Sequence, residues 1–385
     1  MRIVLFPSAY APAVGGVEEL TRRLALQLGA RGHDVEVWTF RHPAELAADE
    51  VIEDVVVRRF SFPLPAASFG AVAKFSSQAP RALRALSQAV KQFRPDLLHV
   101  QCFSAQGMYA TALAARHRLP LAISLQGETV MDDTDIYERS VILRLGLRTA
   151  LRLAPAVTGC SQFVIDDAEK RFGLTPGKGI VIPNGVELAG DEQPRPLDLP
   201  FKRFVFAVGR VVPKKGFDLL IDAFVQVAAE HPDVGLVVGG SGSASEALAA
   251  QASRLELADR IILPGRLDRA AVAWAMDHAE VFVLPSRVEP FGIVVLEAMR
   301  AGCPVVVSCH GGALEIVRHG RDGLVADPFD PQDLAEGISA LLSDPSRASH
   351  LAATGRVRVA TFSWSLIVER YEALYRQARS LRLAS

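Results

Sequence analysis

The chain reads as an α/β protein of two doubly wound domains facing a central cleft, and three observations lead there. Short apolar runs alternate with amphipathic stretches through both halves, the pattern of a mostly parallel sheet covered by helices. At 385 residues the chain exceeds one typical domain and fits two of nearly equal size. At mid-chain the alternation is interrupted by Ile182-Pro-Asn-Gly-Val-Glu187 and the Pro-rich stretch Pro194–Pro200, where Pro and Gly break both helix and strand.

The elements follow in order. Ile3–Phe6 is a short apolar strand, and Val14-Gly-Gly16 is a turn. Val17, Leu20, Leu24 and Leu28 then mark one helix face, with Glu18, Arg22 and Arg23 off it. Gly29 and Gly32 end that helix and Val35–Phe40 returns as a strand. Further strands are read at Leu97–Val100, Leu121–Leu125 and Ala156–Gly159. The second half repeats the scheme with Phe204–Val208, Gly235–Val238, Arg260–Leu263, Val281–Leu284 and Pro304–Val307. After Phe362-Ser-Trp364, the residues Ile367, Val368, Tyr371, Leu374 and Tyr375 form the stripe of a packing helix. The domains are thus residues 1–183 and 184–364, with a C-terminal helix at about 365–385 that can pack back on the first. In doubly wound sheets, ligands bind beyond the strand C-termini.

Composition narrows the function. Half of the residues are apolar, enough for two sizeable cores, and a net charge of −1 argues against a nucleic-acid partner. Cys102, Cys160, Cys303 and Cys309 show no Cys-x-x-Cys spacing and fit free thiols in a reducing cytosol. The apolar run at the N-terminus is too short for a signal peptide, and no run is long enough to span a bilayer. The reading is a cytoplasmic protein that can touch the inner face of the membrane peripherally.

The stretch Glu289-Pro-Phe-Gly-Ile-Val-Val-Leu-Glu297 carries most of the functional information. It follows the strand Val281–Leu284 and opens a helix whose apolar face includes Val294, Val295, Ala298 and Met299. Unpaired N–H groups near Phe291, Gly292 and Ile293 would then lie at a helix N-terminus, which favours anions. Eight residues at about 100° each make roughly two turns, so Glu297 would lie above Glu289 if the helical path reached back that far. A diphosphate at the tip with hydroxyls on both sides, as in a nucleotide sugar, suits this geometry. By itself the stretch would equally fit a surface loop and an ordinary amphipathic helix.

Together with its neighbours, the stretch resembles the retaining glycosyltransferases of family four, of GT-B fold with two Rossmann-like domains. The resemblance is carried by Val208-Gly-Arg-Val-Val-Pro-Lys-Lys-Gly216 through Ala223, Val237-Val-Gly-Gly-Ser-Gly242, Pro285–Met299, Ala301–Val306, Gly311-Gly312 and Gly320–Val325. Ile182–Val186 and Arg31-Gly-His-Asp-Val35 extend it into the first half. It implies an N-terminal acceptor domain and a C-terminal donor domain. It also implies that Arg210 and Lys215 contact the donor diphosphate, whose charge grows as the sugar–phosphate bond breaks. Glu297 would bind the ribose hydroxyls and Glu289 the sugar near the reacting carbon. Without the motif, Arg210 and Lys215 would read as a solvated basic turn.

Other candidates are weaker. Gly240 and Arg266 fall near the nucleotide, and Gly16 on the other domain permits close backbone approach, although a plain turn explains these glycines too. Many family members carry a histidine where this chain has Gln126, in Ile123-Ser-Leu-Gln-Gly127. Glutamine cannot act as a base but can hydrogen-bond an acceptor hydroxyl, and the resemblance implies same-face chemistry in which the departing phosphate takes the proton. His99 is either an acceptor contact or a core histidine. Glu128 and Asp132 belong to an acceptor loop or a solvated acidic turn. Asp133-Thr-Asp135 resembles a metal motif of another fold and is discounted, so no metal and no cofactor is expected beyond the nucleotide-sugar co-substrate. Basic amphipathic stretches (Arg139, Arg144, Arg148 and Arg152 with Val141, Ile142, Leu145 and Leu153; Lys74, Arg81, Arg84, Lys91 and Arg94 around Leu83 and Leu86) fit either a membrane surface or ordinary helices over a sheet.

The sequence thus predicts a metal-independent retaining transferase moving a hexose or N-acetylhexosamine, from a UDP-sugar rather than GDP-mannose, to a hydroxyl acceptor (sugar, glycolipid or small molecule). The setting would be polysaccharide, glycolipid or secondary-metabolite assembly, with domain closure about Pro183–Gly185. A sugar-nucleotide epimerase, a glycogen-type synthase and a non-catalytic sugar-nucleotide sensor stay open. A dinucleotide oxidoreductase ranks last, because no Gly-x-Gly-x-x-Gly opens the first helix.

Overall fold

A computed structural model describes residues 1–13, 15–65, 69–131, 135–189 and 194–383. The chain forms two compact units, Met1–Asn184 together with Trp364–Ser385, and Gly185–Ser363. Each is an α/β sheet layered with helices, a doubly wound Rossmann-like arrangement.

The first unit holds strands β1 (Arg2–Pro7), β2 (Asp34–Phe40), β3 (Asp49–Ile52), β4 (Val55–Phe60), β5 (Leu97–Gln101), β6 (Leu121–Leu125), β7 (Ala156–Gly159) and β8 (Gly179–Val181). Their order is β3-β4-β2-β1-β5-β6-β7-β8, parallel except for the β3–β4 pair. Helices cover both faces of such a sheet, so its central strands read as continuous apolar runs, and every residue of β5, β6 and β7 is buried. The second unit holds β9 (Arg203–Val208), β10 (Val234–Gly239), β11 (Ile261–Ile262), β12 (Val281–Leu284), β13 (Val305–Ser308) and β14 (Leu324–Ala326). Its order is β11-β10-β9-β12-β13-β14, all parallel.

Sequence reading passes over β3, β4, β8 and β14. β3 alternates exposed and half-buried residues with acidic Asp49 and Glu50, while β8 and β14 span only three residues each. None of these shows the long apolar run of a central strand.

The tail helix, Trp364–Leu383, belongs to the first unit. Tyr375 and Tyr371 reach the buried polar atoms of the sheet. His99 Nδ1 lies 2.7 Å from the Tyr375 hydroxyl and its Nε2 2.8 Å from Ser124 Oγ. Ser124 Oγ in turn lies 2.7 Å from Thr158 Oγ1. Outside this network, Arg31 pairs with Glu369 and Glu372, and His33 with Glu372.

Burial with no charged neighbour lowers the His99 pKa from its ordinary 6.5 to about 3. The folded protein therefore holds it neutral, whereas the unfolded chain protonates it below about pH 6.5. Stability from this group is complete above that pH and is lost as pH falls from 6.5 toward 3, at about 1.4 kcal/mol per pH unit. Urea titrations at pH 6.5 and 5.5 check this: the unfolded imidazole is already half protonated at the upper pH, so the parent should lose about 1 kcal/mol more than His99→Gln. Equal losses would refute it. Glu128 acts with the opposite sign, because burial raises its carboxyl to about 7. The parent–variant difference cancels that contribution.

Candidate active site in the second unit

Chain order sets where a ligand can bind in the second sheet. From β9 the chain moves outward to β10 and β11, then returns to the other side of β9 as β12. The connections after β9 and β12 leave a crevice at their C-terminal ends, the switch point at which open α/β sheets take ligands.

Two segments meet at that point. After β9 come Gly209, Arg210 and the short 3-10 turn Pro213–Lys215; after β12 come Pro285 to Gly292. Their backbones touch: Gly216 sits at φ +67, and a Cβ there would stand 2.0 Å from the Pro285 carbonyl oxygen. Arg287 N–H donates to the Lys214 carbonyl at 3.0 Å. Its guanidinium donates to both Asp218 oxygens at 2.6 Å and to the Pro213 carbonyl at 2.7 Å. Burial raises the Asp218 pKa, but the Arg287 fork outweighs it and holds the carboxyl below its usual range.

Within this frame Lys215 Nζ donates to Glu289 Oε2 at 2.7 Å, and Ser286 Oγ donates to the same oxygen at 3.1 Å. Glu289 is only 5% exposed, so its charge needs such partners. Its backbone is gripped as well: Glu289 N–H donates to the His310 carbonyl at 3.1 Å, and Gly312 N–H donates to the Glu289 carbonyl at 2.7 Å. The helix Ile293–Ala301 then starts from Gly292, which takes φ +100 at the N-cap with no side-chain cap. Among the described residues no side chain accepts from the first-turn N–H groups, the arrangement that favours an anion at a helix N-terminus. Glu297 lies half-buried on the second turn of this helix.

One expectation about this stretch is corrected. The helical path does not extend back to Glu289, which instead forms an isolated parallel bridge with Gly311. Pro290 and the left-handed Gly292 separate the two glutamates into a loop and a helix, so Glu297 does not continue a helical turn begun at Glu289. Phe291 is also buried, its ring against Phe362 at 6.1 Å, so its side chain packs rather than faces a ligand.

Gly240 serves close backbone packing between loops. At φ +134 a Cβ would stand 1.8 Å from the Gly209 carbonyl oxygen, while Gly240 N–H donates to the Gly265 carbonyl at 2.8 Å. Val211 N–H donates to the Ser241 carbonyl at 3.0 Å, so this turn sets the course of the Arg210 loop. Arg210 and Arg266 are both exposed, and Arg266 has no hydrogen-bond partner among the described residues.

The first-unit candidates fare differently. Gly16 is exposed at the start of the helix Gly16–Ala30, beyond β1. His99 is fully buried with both ring nitrogens engaged, so it is a core histidine and not an acceptor contact. Gln126 Nε2 donates to Gln101 Oε1 at 3.1 Å, and its own Oε1 is buried without a protein partner. Glu128 accepts from Phe103 N–H at 2.6 Å and Gln126 N–H at 2.7 Å, so its carboxylate joins the loops after β5 and β6. Asp132 and Asp133 lie outside the described residues. Among the described residues one group could hold a metal, Cys309, His310 and Asp327, whose ligand atoms lie within 4.8 Å of one another. His310 and Asp327 already pair there at 2.9 Å.

Sequence reasoning missed Ser286, the Asp218–Arg287 fork and the backbone role of Gly311. Ser286 had a local signal, a buried hydroxyl three residues before Glu289. The other two join positions 69 residues apart (Asp218 and Arg287) and 22 apart (Glu289 and Gly311), for which one sequence carries no signal.

Comparison with known proteins agrees with this architecture. The family model for glycosyl transferases group 1 matches residues 191–358, and that for glycosyltransferase family 4 matches residues 14–189. The chain belongs to the family 4 glycosyltransferases. Among curated relatives, it is 27% identical over 405 residues to the glycogen synthase of Mycobacterium tuberculosis, covering 98% of this chain and 95% of that one. Among solved structures, sucrose-phosphate synthase from Thermosynechococcus elongatus superposes with a TM-score of 0.78 at 24% identity over the whole of both chains. The Anabaena protein Alr3699/HepE, solved in complex with UDP-glucose, superposes with a TM-score of 0.74 at 23% identity, covering 97% of this chain and 99% of that one.

Proposed function

We propose that the protein is a retaining, metal-independent glycosyltransferase that moves a hexose or N-acetylhexosamine from a UDP-sugar to a hydroxyl acceptor. One observation carries this reading: the Lys215–Glu289 pair at the switch point, beside the uncapped helix Ile293–Ala301. The ammonium neutralises the buried carboxylate. When a diphosphate arrives, Lys215 turns to the phosphates with Arg210 and the helix N-terminus, and Glu289 is released to hold sugar hydroxyls. The cations then stabilise the charge that develops on the departing nucleoside diphosphate, which can itself accept the acceptor's proton. Glu297 on the second helical turn holds the ribose. With two cations and a helix end in place, the diphosphate needs no metal. UDP is preferred over GDP because the fold-related Anabaena protein was solved with UDP-glucose.

Calorimetry with UDP and GDP tests donor binding, and the anomeric configuration of the product by NMR tests retention. Arg210→Ala should weaken UDP binding by about tenfold or more, as for loss of a charge-assisted hydrogen bond. Turnover unchanged by EDTA is expected as well. An inverted product, a chelator-sensitive rate or no nucleotide binding at millimolar levels would each defeat the corresponding claim. The full-length similarity to a glycogen synthase favours a second reading, extension of an α-glucan. Incorporation of labelled glucose into a glucan primer, but not into small acceptors, would select it.

A further inference from the structure

We propose that the helix Val141–Leu153 is a docking surface for an anionic lipid bilayer. This helix is apolar on two sides. Leu143, Leu147, Ala150 and Leu151 are buried in the first unit, as in any covering helix. Val141, Leu145 and Leu153, at four- and eight-residue spacing, point outward with 55%, 55% and 58% exposure, joined by Ile142 and by Ile136 on the short helix before it. At about 100° per residue the three side chains fan over roughly 120° of the helix's outer side. Large aliphatic side chains in such a row are not needed for the fold and mark a contact surface.

Arginines flank the row. Arg144, Arg148 and Arg152 form their own four-residue stripe. Arg144 donates to the Glu138 carbonyl at 3.0 Å and Arg148 to the Arg171 carbonyl at 3.0 Å, so both are oriented by neutral groups. No carboxylate pairs with any of the three among the described residues. Lys178 Nζ adds a further positive charge at the helix C-terminus, donating to the Leu151 and Arg152 carbonyls at 2.7 and 3.0 Å. Glu138 lies beside the stripe but pairs with Arg171. An open groove of about 400 Å³ lies between Arg171–Phe172 and this helix, lined also by Glu138, Val141, Arg144, Leu145 and Arg148. The chain as a whole carries only −1, so this positive surface is local.

Arg139, grouped with these residues by sequence spacing, ends a separate short helix, because Ser140 caps the next one by accepting from Leu143 N–H at 3.3 Å. The helix Phe69–Phe93 is a useful contrast. There Leu86 and Val90 are buried while Arg81, Arg84 and Lys91 are exposed, the pattern of an ordinary surface helix.

Charge selects the occupant. A second copy meeting this face about a two-fold axis would oppose two like-charged arginine stripes. An anionic bilayer answers both rows, with phosphates at the arginines and acyl chains at Val141, Leu145 and Leu153. Among the described residues no helix is long and apolar enough to cross a membrane, so the contact is interfacial.

Co-sedimentation of the full chain with vesicles tests this. Binding is expected to vesicles of phosphatidylcholine with phosphatidylglycerol at low salt, and to fall steeply as salt rises. Each arginine removed should weaken the partition coefficient about fivefold, so R144A/R148A/R152A should weaken it on the order of 100-fold. Leu145→Ser, at an exposed position, should weaken it about tenfold. No binding, equal binding to pure phosphatidylcholine, or insensitivity to salt and to the arginine variant overturns the proposal. So does a dimer in light scattering that Leu145→Ser abolishes, which would identify a second copy as the occupant. The lipid dependence is read on the unaltered chain, so a variant that fails to fold leaves the test intact. Nucleotide binding is measured separately, and a negative vesicle result leaves the sugar-transfer reading untouched.

Discussion

In Glu289→Gln the rate of sugar transfer falls by about 10²–10³-fold, while affinity for the free nucleoside diphosphate changes much less. The substitution keeps the side chain's shape and removes its charge. In the unliganded protein it also leaves Lys215 Nζ without the carboxylate that now sits 2.7 Å away, and breaking a buried pair costs on the order of 3 kcal/mol. A bound diphosphate supplies a new partner for that ammonium. The variant should therefore melt earlier than the parent when empty and gain more from added UDP. On the proposed reading the carboxylate holds the sugar, and nucleotide alone would not restore that contact, so the loss should persist in kcat, at the size seen when one preorganised electrostatic contact is removed. Steady-state kinetics with donor and acceptor, alongside thermal melts with and without UDP, check both halves. A kcat within threefold of the parent would remove Glu289 from the chemistry.

Gly311→Ala is expected to damage the same site without touching any charged group. Gly311 takes φ +116 and ψ −151, a region open essentially to glycine alone. A Cβ there would lie 2.1 Å from the Glu289 carbonyl oxygen and 2.9 Å from its backbone nitrogen. Backbone strain of about 1–3 kcal/mol adds to that collision, and relief requires the strand-like bridge between Gly311 and Glu289 to open. Opening it withdraws the Gly312 N–H that holds the Glu289 carbonyl at 2.7 Å. The variant should thus lose on the order of 3 kcal/mol of stability in urea titration and show a lowered kcat. Gly29→Ala is the control. Its site is helical with nothing within 4 Å of the new carbon, so it should gain about 0.5–1 kcal/mol. Equal stability of Gly311→Ala and the parent would show that the loop is not held as described.

Much of the site was legible because it is local. The apolar run Val281–Leu284, the Gly292 N-cap and the helix carrying Glu297 lie within 21 residues, and each has a signature in residue type and spacing. The eight-residue spacing aligns Glu289 with Glu297 only if the backbone stays helical throughout, and Pro290 and the left-handed Gly292 break that path. The first unit exposes a different limit. β5 and β6 are buried on both faces, so period-two alternation does not tell which side of the sheet His99 or Gln126 faces. His99 turned toward the tail helix, 276 residues away in sequence. The exposed row on Val141–Leu153 was likewise ambiguous, because the helix has apolar residues on two sides and only packing shows which side is covered.

By itself the amino-acid order determined where strands and helices alternate, where glycine and proline end them, and which charged residues stand at strand ends in the second half. Those properties arise from backbone propensities and hydrophobic periodicity, which act over a few residues. Tertiary structure decided the partners: Lys215 with Glu289, Arg287 with Asp218, Gly311 against the Glu289 backbone, and Tyr375 with His99. Hydrogen bonds and steric contacts reach only 2–4 Å, so they depend on which distant segments the sheet order brings side by side.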